Sequence, residues 1–554
     1  MNRASSVLTI VLALAFAPFP TSDLRAQASP SVQERVDQIF ERWDSEETPG
    51  CAVGVKEGGA TVLESAYGMA DLEHGVPNTP ETIFEAGSVS KQFTAAAVVL
   101  LAEDGVLSLD DDVRAHIPEL PDYGPTITIR HLLTHTSGLR DWGSVAAITG
   151  WGREARVHDH DHVLDILVRQ SALNFPPGDR YSYSNSGYNL LAMIVERAGG
   201  SRFADFSQER IFETLSLNNT EWRNDYTRIV PGRASAYAPR SGGGFSIARP
   251  NENVHGNGGL LTTVEDLLAW SAAIRSGDLG GPTFSETMHS QAVLNDGRTI
   301  TYAAGLQVDQ HRGVPEVAHT GSTRGYRAFL GHYPEQDLHV ALLCNISSQN
   351  PGQAGRAVVD LFLGDVAVTA EAPSGIELAP EVLRETEGLY RNEFTGEPMR
   401  LAVQEGRLVM DGGNHLIPRS ATEFQVGTTD QVFRFVPSQN GGPTRIRTLV
   451  GTFEGDEYLA LAEFDPSAEE LSNYAGRYHS EDAEMTVEVE ARGKELFFHR
   501  RPADEIRLEP LYADAFRMAG TGLLVRFIRN DEGEVTEVSL RQARVYDLRF
   551  GRLD

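Results

Sequence analysis

Apolar and polar positions along the chain follow two different patterns, one before and one after about residue 365. In the first part helical and strand periods are mixed. Ser29 to Asp44 places Val32, Val36, Ile39 and Phe40 on one side, which predicts an amphipathic helix. Cys51 to Val55 and Ala60 to Ala66 flank the turn Lys56-Glu57-Gly58-Gly59, which predicts a hairpin. Thr94 to Ala102 is apolar and alanine-rich, a pattern for a buried helix. Further strands are predicted at Ala304 to Val308, Tyr326 to Tyr333 and His339 to Ile346. Past a stretch of Ala, Pro, Ser and Gly the pattern changes to short alternating strands separated by turns. That region repeats. Leu383, Gly388, Tyr390 and Leu408 match Leu471, Gly476, Tyr478 and Leu496. Leu416, Pro418, Phe424 and Phe435 match Leu508, Pro510, Phe516 and Phe527. Two copies of a unit of about 90 residues, each with about eight short strands, predict two small antiparallel barrels. The expected division is a leader over residues 1–28, a main domain over 29–365, a linker over 366–377, and barrels over 378–465 and 466–554.

The first 28 residues have the form of an export signal. Arg3 gives a positive start, Val7 to Phe19 an apolar core, and Ala26-Gln27-Ala28 a small-x-small cleavage site. A periplasmic or secreted location follows as an expectation, with the cut after Ala28. The apolar run is short for a membrane span, and no cysteine follows the cut, so no membrane anchor is expected. A formal charge of −30 argues against nucleic acid and anionic membranes as partners. Export would permit a bridge between the two cysteines, Cys51 and Cys344. Because both lie in apolar strand-like segments, they read as buried thiols.

Candidate chemistry centres on Glu85-Ala86-Gly87-Ser88-Val89-Ser90-Lys91. Ser88 and Lys91, three apart at a helix start, share one face. Of 48 basic residues three are lysine (Lys56, Lys91 and Lys494) and the other 45 are arginine. Arginine cannot act as a base, whereas a desolvated lysine can take a proton from a serine nucleophile. His158-Asp159-His160-Asp161-His162 could ligate a metal, but reads as an aspartate cap at a helix entry, and no metal is expected. A Pro177-Gly178 turn delivers Tyr183-Ser184-Asn185 ahead of an apolar helix, a common setting for active-site groups. The glycine-rich loop His255 to Leu261, leading to a cap at Thr262 or Thr263, reads as structural. In His319-Thr320-Gly321-Ser322-Thr323-Arg324-Gly325 the glycines would let a substrate approach a strand backbone closely.

Ser88-Val89-Ser90-Lys91, Tyr183-Ser184-Asn185 and His319-Thr320-Gly321 resemble, in order, the three motifs of the serine β-lactamase and penicillin-binding-protein superfamily. Leu132-Leu133-Thr134-His135-Thr136-Ser137-Gly138-Leu139 and the segment Pro177 to Asn185 resemble its class C branch, which includes DD-peptidases, D-aminopeptidases and esterases. The resemblance spans about residues 30–365. It implies an α+β fold, an antiparallel sheet flanked by helices plus a helical lobe, with the site between. The two barrels resemble the lipocalin-like pair of the D-aminopeptidases. By this resemblance Ser88 is the acylated nucleophile, Lys91 its proton partner, and Tyr183 the general base and proton donor. Asn185 is a ligand for the substrate amide, and the N–H groups of Ser88 and Ser322 form the oxyanion hole. His319 stands where lysine is usual in class C β-lactamases. A histidine only partly charged near neutral pH would hold a carboxylate less firmly, and Arg324 could bind it instead. The expected function is an exported serine hydrolase, free of metal and organic cofactor, acting on small D-residue peptides, amides or related esters. A carboxylesterase, a class C-like β-lactamase and a silent scaffold are the alternatives, and a homodimer is left open.

Overall fold

The computed structural model describes residue 1 and residues 30–366, 375–427, 429–436, 444–501 and 504–553. The expected leader, its cleavage site and most of the expected linker lie outside the described residues.

The main domain is built on six antiparallel strands: β1 (Cys51–Glu57), β2 (Ala60–Tyr67), β3 (Gln307–His311), β4 (Val314–Thr323), β5 (Tyr326–Tyr333) and β6 (Leu338–Cys344), in the order β3-β4-β5-β6-β1-β2. Six of the helices of this domain are α1 (Val32–Phe40), α2 (Ser90–Glu103), α3 (His160–Val168), α4 (Asn185–Gly199), α5 (Val264–Ser276) and α6 (Pro351–Leu363). All seven residues of β6 are buried, because α1 and α6 pack on one face of the sheet and α5 on the other. Such a doubly covered strand reads as one apolar run rather than an alternation. A Ser31–Glu34 capping box starts α1. Helix α2 is buried from Ser90 to Leu101 and runs through the lobe that also holds α4.

Two sequence expectations are corrected. Cys51 and Cys344 are not free thiols. They face each other across the β1–β6 ladder, 4.0 Å apart at Cα, and form a disulfide. The strand expected at Ala304 to Val308 starts later, at Gln307. Gly305, at φ +74, is pressed against the α2 backbone, so these apolar residues are buried by the helix and not by sheet pairing. The histidine run behaves as a cap: Asp159 accepts from the His162 amide and opens α3.

Beyond residue 375 two eight-stranded antiparallel barrels close, from Gly388–Asn392 to Phe453–Leu461 and from Gly476–Ser480 to Val545–Arg552. The repeat is visible in their geometry. Gly388 and Gly476 both take positive φ, +148 and +152. The Tyr390 hydroxyl donates to the Thr386 carbonyl at 3.0 Å, and the Tyr478 hydroxyl to the Tyr474 carbonyl at 2.9 Å. The core of the second barrel is continuous with that of the helical lobe. Buried Arg140 of the lobe pairs with Asp482 of this barrel at 2.7 Å.

Candidate active site

Ser88 sits in a short 3-10 turn, Gly87–Val89, that runs directly into α2. Two glycines bring this turn against β4. At Gly87, φ +52, a Cβ would lie 2.6 Å from the Ser322 nitrogen. At Gly321 a Cβ would lie 2.0 Å from the Ala86 carbonyl oxygen. No other residue type permits that approach. Strand β4 pairs with β3 only as far as Ala318, so the stretch from His319 to Thr323 presents an open edge. The Ser88 turn packs there, and the backbones of Ser88 and Ser322 flank one cavity of about 420 Å³.

Lys91 is wholly buried, and its Nζ has three neighbours: Ser88 Oγ at 3.1 Å, Asn185 Oδ1 at 3.0 Å and the Asn257 carbonyl at 2.6 Å. No carboxylate is among them. A neutral amine has two N–H donors and one lone pair, which matches two carbonyl-type acceptors and one hydroxyl donor. Burial drives this amine far below the ordinary lysine range. Arg544 and Arg153 lower it further and Asp141 opposes them.

The loop before α4 holds Tyr183. Its ring lies 4.8 Å from Lys91 Nζ on centroid measure and 4.6 Å from the Arg544 guanidinium carbon, with the His135 ring at 4.2 Å. The buried hydroxyl has no hydrogen-bond partner among the described residues. Burial raises this phenol well above its ordinary value, with nearby Ser88 and Arg544 pulling it back. Asn185 opens α4, and its amide donates to Asp141 Oδ2 at 2.8 Å. His135, at φ +59, accepts from the Ser184 amide at 3.2 Å and steadies the segment.

The structure thus brings Ser88, Lys91, Tyr183, Asn185, His319, Gly321 and Ser322 together. Arg324 is different. It turns out of the site at φ +48, between β4 and β5, pairs with Glu154, and does not line the cavity. His319 also departs from expectation. Its side chain is buried: Nδ1 donates to the Thr320 carbonyl at 2.6 Å, and Nε2 is left to accept from the Tyr302 hydroxyl at 3.1 Å. Burial, with Lys91 beside it, lowers its pKa to about 4, so it is neutral at pH 7 rather than partly charged. The glycine-rich loop that reads as structural supplies the Asn257 carbonyl to Lys91. Arg153 and Arg544 line the cavity unannounced, since nothing marks them among 45 arginines.

Among the described residues one cluster could hold a metal, Glu490, His499 and Glu505 on the second barrel. Arg492 already pairs with both glutamates, and none of the three lines the cavity.

A beta-lactamase family model matches residues 36–364, a span that contains Ser88, Lys91, Tyr183, Asn185, His319, Gly321 and Ser322. The chain belongs to the beta-lactamase family. A model of a domain of unknown function, DUF3471, matches residues 463–552, the region of the second barrel. Among curated family relatives, penicillin-binding protein 4* of Bacillus subtilis is 30% identical over 336 residues, 56% of this chain and 72% of that protein. A D-aminopeptidase of Brucella canis is 26% identical over 455 residues, 81% of this chain and 82% of that protein. An octameric penicillin-binding protein homologue from Pyrococcus abyssi shares the family fold with a TM-score of 0.54 and 23% identity, over 77% of this chain and 99% of that one.

Proposed function

We propose that the protein is an exported serine hydrolase that acts through a Ser88 acyl-enzyme on small peptides or amides containing a D-residue, or on related esters. One observation carries the reading: Lys91 is buried among groups that suit a neutral amine, with its Nζ 3.1 Å from Ser88 Oγ. Lys91 accepts the Ser88 proton as Oγ attacks the substrate carbonyl. The developing oxyanion takes hydrogen bonds from the Ser88 and Ser322 amides, and donors of this kind are worth about 10²–10³ in rate each. Tyr183, held protonated by burial, donates to the leaving group and receives the proton back through Lys91. Water then attacks the ester along the same relay. Asn185 divides its amide between Lys91 and the substrate.

The name of the D-aminopeptidase relative supports the D-residue preference. A neutral His319 lacks the charge that lysine would offer a β-lactam carboxylate at that position, which supports the peptidase and esterase readings over a β-lactamase. The Ala26-Gln27-Ala28 site supports export. The test is a panel of a D-alanyl anilide, a short-chain nitrophenyl ester and a chromogenic cephalosporin, each with Ser88→Ala as control. Anilide turnover that vanishes in the control supports the reading. Ester turnover alone moves it to a carboxylesterase, and fast cephalosporin turnover to a β-lactamase. No turnover and no covalent label on Ser88 refutes it.

A further inference from the structure

The second barrel reaches the cavity through its last hairpin, Val535–Gln542 and Val545–Arg552. Gln542 pairs with Val545, so Ala543 and Arg544 form the tip, with Ala543 at φ +48. The tip is fixed by its backbone. The Arg544 carbonyl accepts from Asn174 Nδ2 at 2.9 Å, the Tyr546 amide donates to Asn174 Oδ1 at 3.0 Å, and the Tyr546 hydroxyl bonds Ser182 Oγ at 2.9 Å. A left-handed alanine is unfavourable by itself, and this docking holds it.

The Arg544 side chain takes no part in the docking. Its guanidinium lies over the Tyr183 ring, lines the cavity, and makes no hydrogen bond to any described residue. The nearest carboxylate oxygen, Asp141 Oδ2, is 3.9 Å away and already accepts from the Asn185 amide. Arg153 lines the cavity too, but it is neutralised by buried Glu252, which it meets through Nε at 2.9 Å. His319 is neutral at pH 7, burial lowers Lys91 far below the ordinary lysine range, and no Asp or Glu is among the residues lining the cavity. One cation whose forked donors make no hydrogen bond to any described residue, and whose one paired carboxylate stands 3.9 Å away, therefore faces the substrate.

We propose that Arg544 is a specificity residue that binds a carboxylate of the substrate, so that the site favours substrates bearing a carboxylate near the scissile bond and disfavours those bearing a free ammonium there. This rests on the serine hydrolase reading and narrows it: a D-residue substrate presents its carboxyl end, not its amino end, to the barrel. The carboxylate can belong to the leaving group or to the acyl group, and both place the same chemistry before the same fork.

The test compares matched substrates with the full chain. For the leaving side, N-acetyl-D-alanyl-D-alanine is set against its C-terminal amide. For the acyl side, 4-nitrophenyl hemisuccinate is set against 4-nitrophenyl butyrate. D-alanyl 4-nitroanilide supplies the ammonium. The expected result is at least a tenfold preference in kcat/KM for the carboxylate member of one pair. That ratio falls toward one in Arg544→Ala, is partly kept in Arg544→Lys, and swings toward the ammonium substrate in Arg544→Glu. The pair that responds identifies the side. A preference that survives Arg544→Ala, or a wild-type preference for the ammonium substrate, overturns the proposal. Should no substrate turn over, binding decides. Calorimetry of N-acetyl-D-alanine and of succinate against Ser88→Ala shows at least one complex that Ser88→Ala/Arg544→Ala weakens tenfold or more. Binding of neither ligand, or equal binding by both variants, overturns it. A failed hydrolase reading thus appears in the kinetics and a failed Arg544 assignment in the comparison of variants.

Discussion

Replacing Gly321 by alanine tests how the Ser88 turn is held against the sheet. The added methyl would lie 2.0 Å from the Ala86 carbonyl oxygen, 3.0 Å from its carbon and 3.1 Å from Ala328 Cβ. A carbon–oxygen contact settles near 3.3 Å, so the turn and β4 must part by about 1 Å. That movement widens the gap between the Ser88 and Ser322 amides. A tetrahedral oxyanion then meets one of the two donors, not both. Loss of one donor costs about 10²–10³ in kcat, or about 2.7–4 kcal/mol in the barrier. The forced separation also lowers stability by about 1–3 kcal/mol. The assay is the rate of Ser88 labelling by a fluorophosphonate together with kcat on the best substrate, with urea denaturation run beside them. Gly242→Ala is the control, since a methyl there meets nothing within 4 Å. The expected outcome is a folded Gly321→Ala enzyme with kcat down at least a hundredfold and normal Gly242→Ala. A Gly321→Ala enzyme within threefold of wild type would refute the idea that this close approach builds the oxyanion site.

Three more outcomes follow from the same geometry. Because Lys91 must be neutral, kcat/KM on an uncharged ester rises with pH through its depressed pKa, and Lys91→Arg, which cannot deprotonate, loses at least 10²-fold at every pH. Buried His319 and His339 have pKa values lowered to about 4, so between pH 6.5 and 4 the unfolded chain binds more protons than the folded one. Stability falls as pH drops through that window, by on the order of 2 kcal/mol per histidine from pH 7 to 5, read from urea midpoints. A flat midpoint would show the histidines are protonated in the fold. The Cys51–Cys344 bridge closes a separation of 293 residues, and its reduction lowers stability by about 2–5 kcal/mol. Activity persists under folding conditions, because the β1–β6 ladder remains paired.

The residues of the candidate site were legible because local sequence fixes their spacing. Ser88 and Lys91 share a helix start, Tyr183 and Asn185 share a turn, and the Tyr390/Tyr478 and Gly388/Gly476 pairs announced the two barrels. What stayed hidden depends on distant contacts. Arg544 reaches Tyr183 across more than half the chain, and one arginine among 45 carries no local mark. Arg324 follows the third motif closely, yet a left-handed turn points it at Glu154. His319 gave no sign of its neutrality, which comes from burial and from Lys91 beside it. The thiols of Cys51 and Cys344 could be joined only once β1 and β6 were known to be neighbours.

The most direct test of the proposed chemistry is intact-mass and peptide-mass analysis after brief reaction with a fluorophosphonate and, separately, with an N-acetyl-D-alanyl ester quenched in acid. A single adduct on the peptide containing Ser88, absent in Ser88→Ala and slowed at least a hundredfold in Lys91→Arg, is the predicted result. An adduct on another residue, or none on a folded protein, would contradict a Ser88 acyl-enzyme.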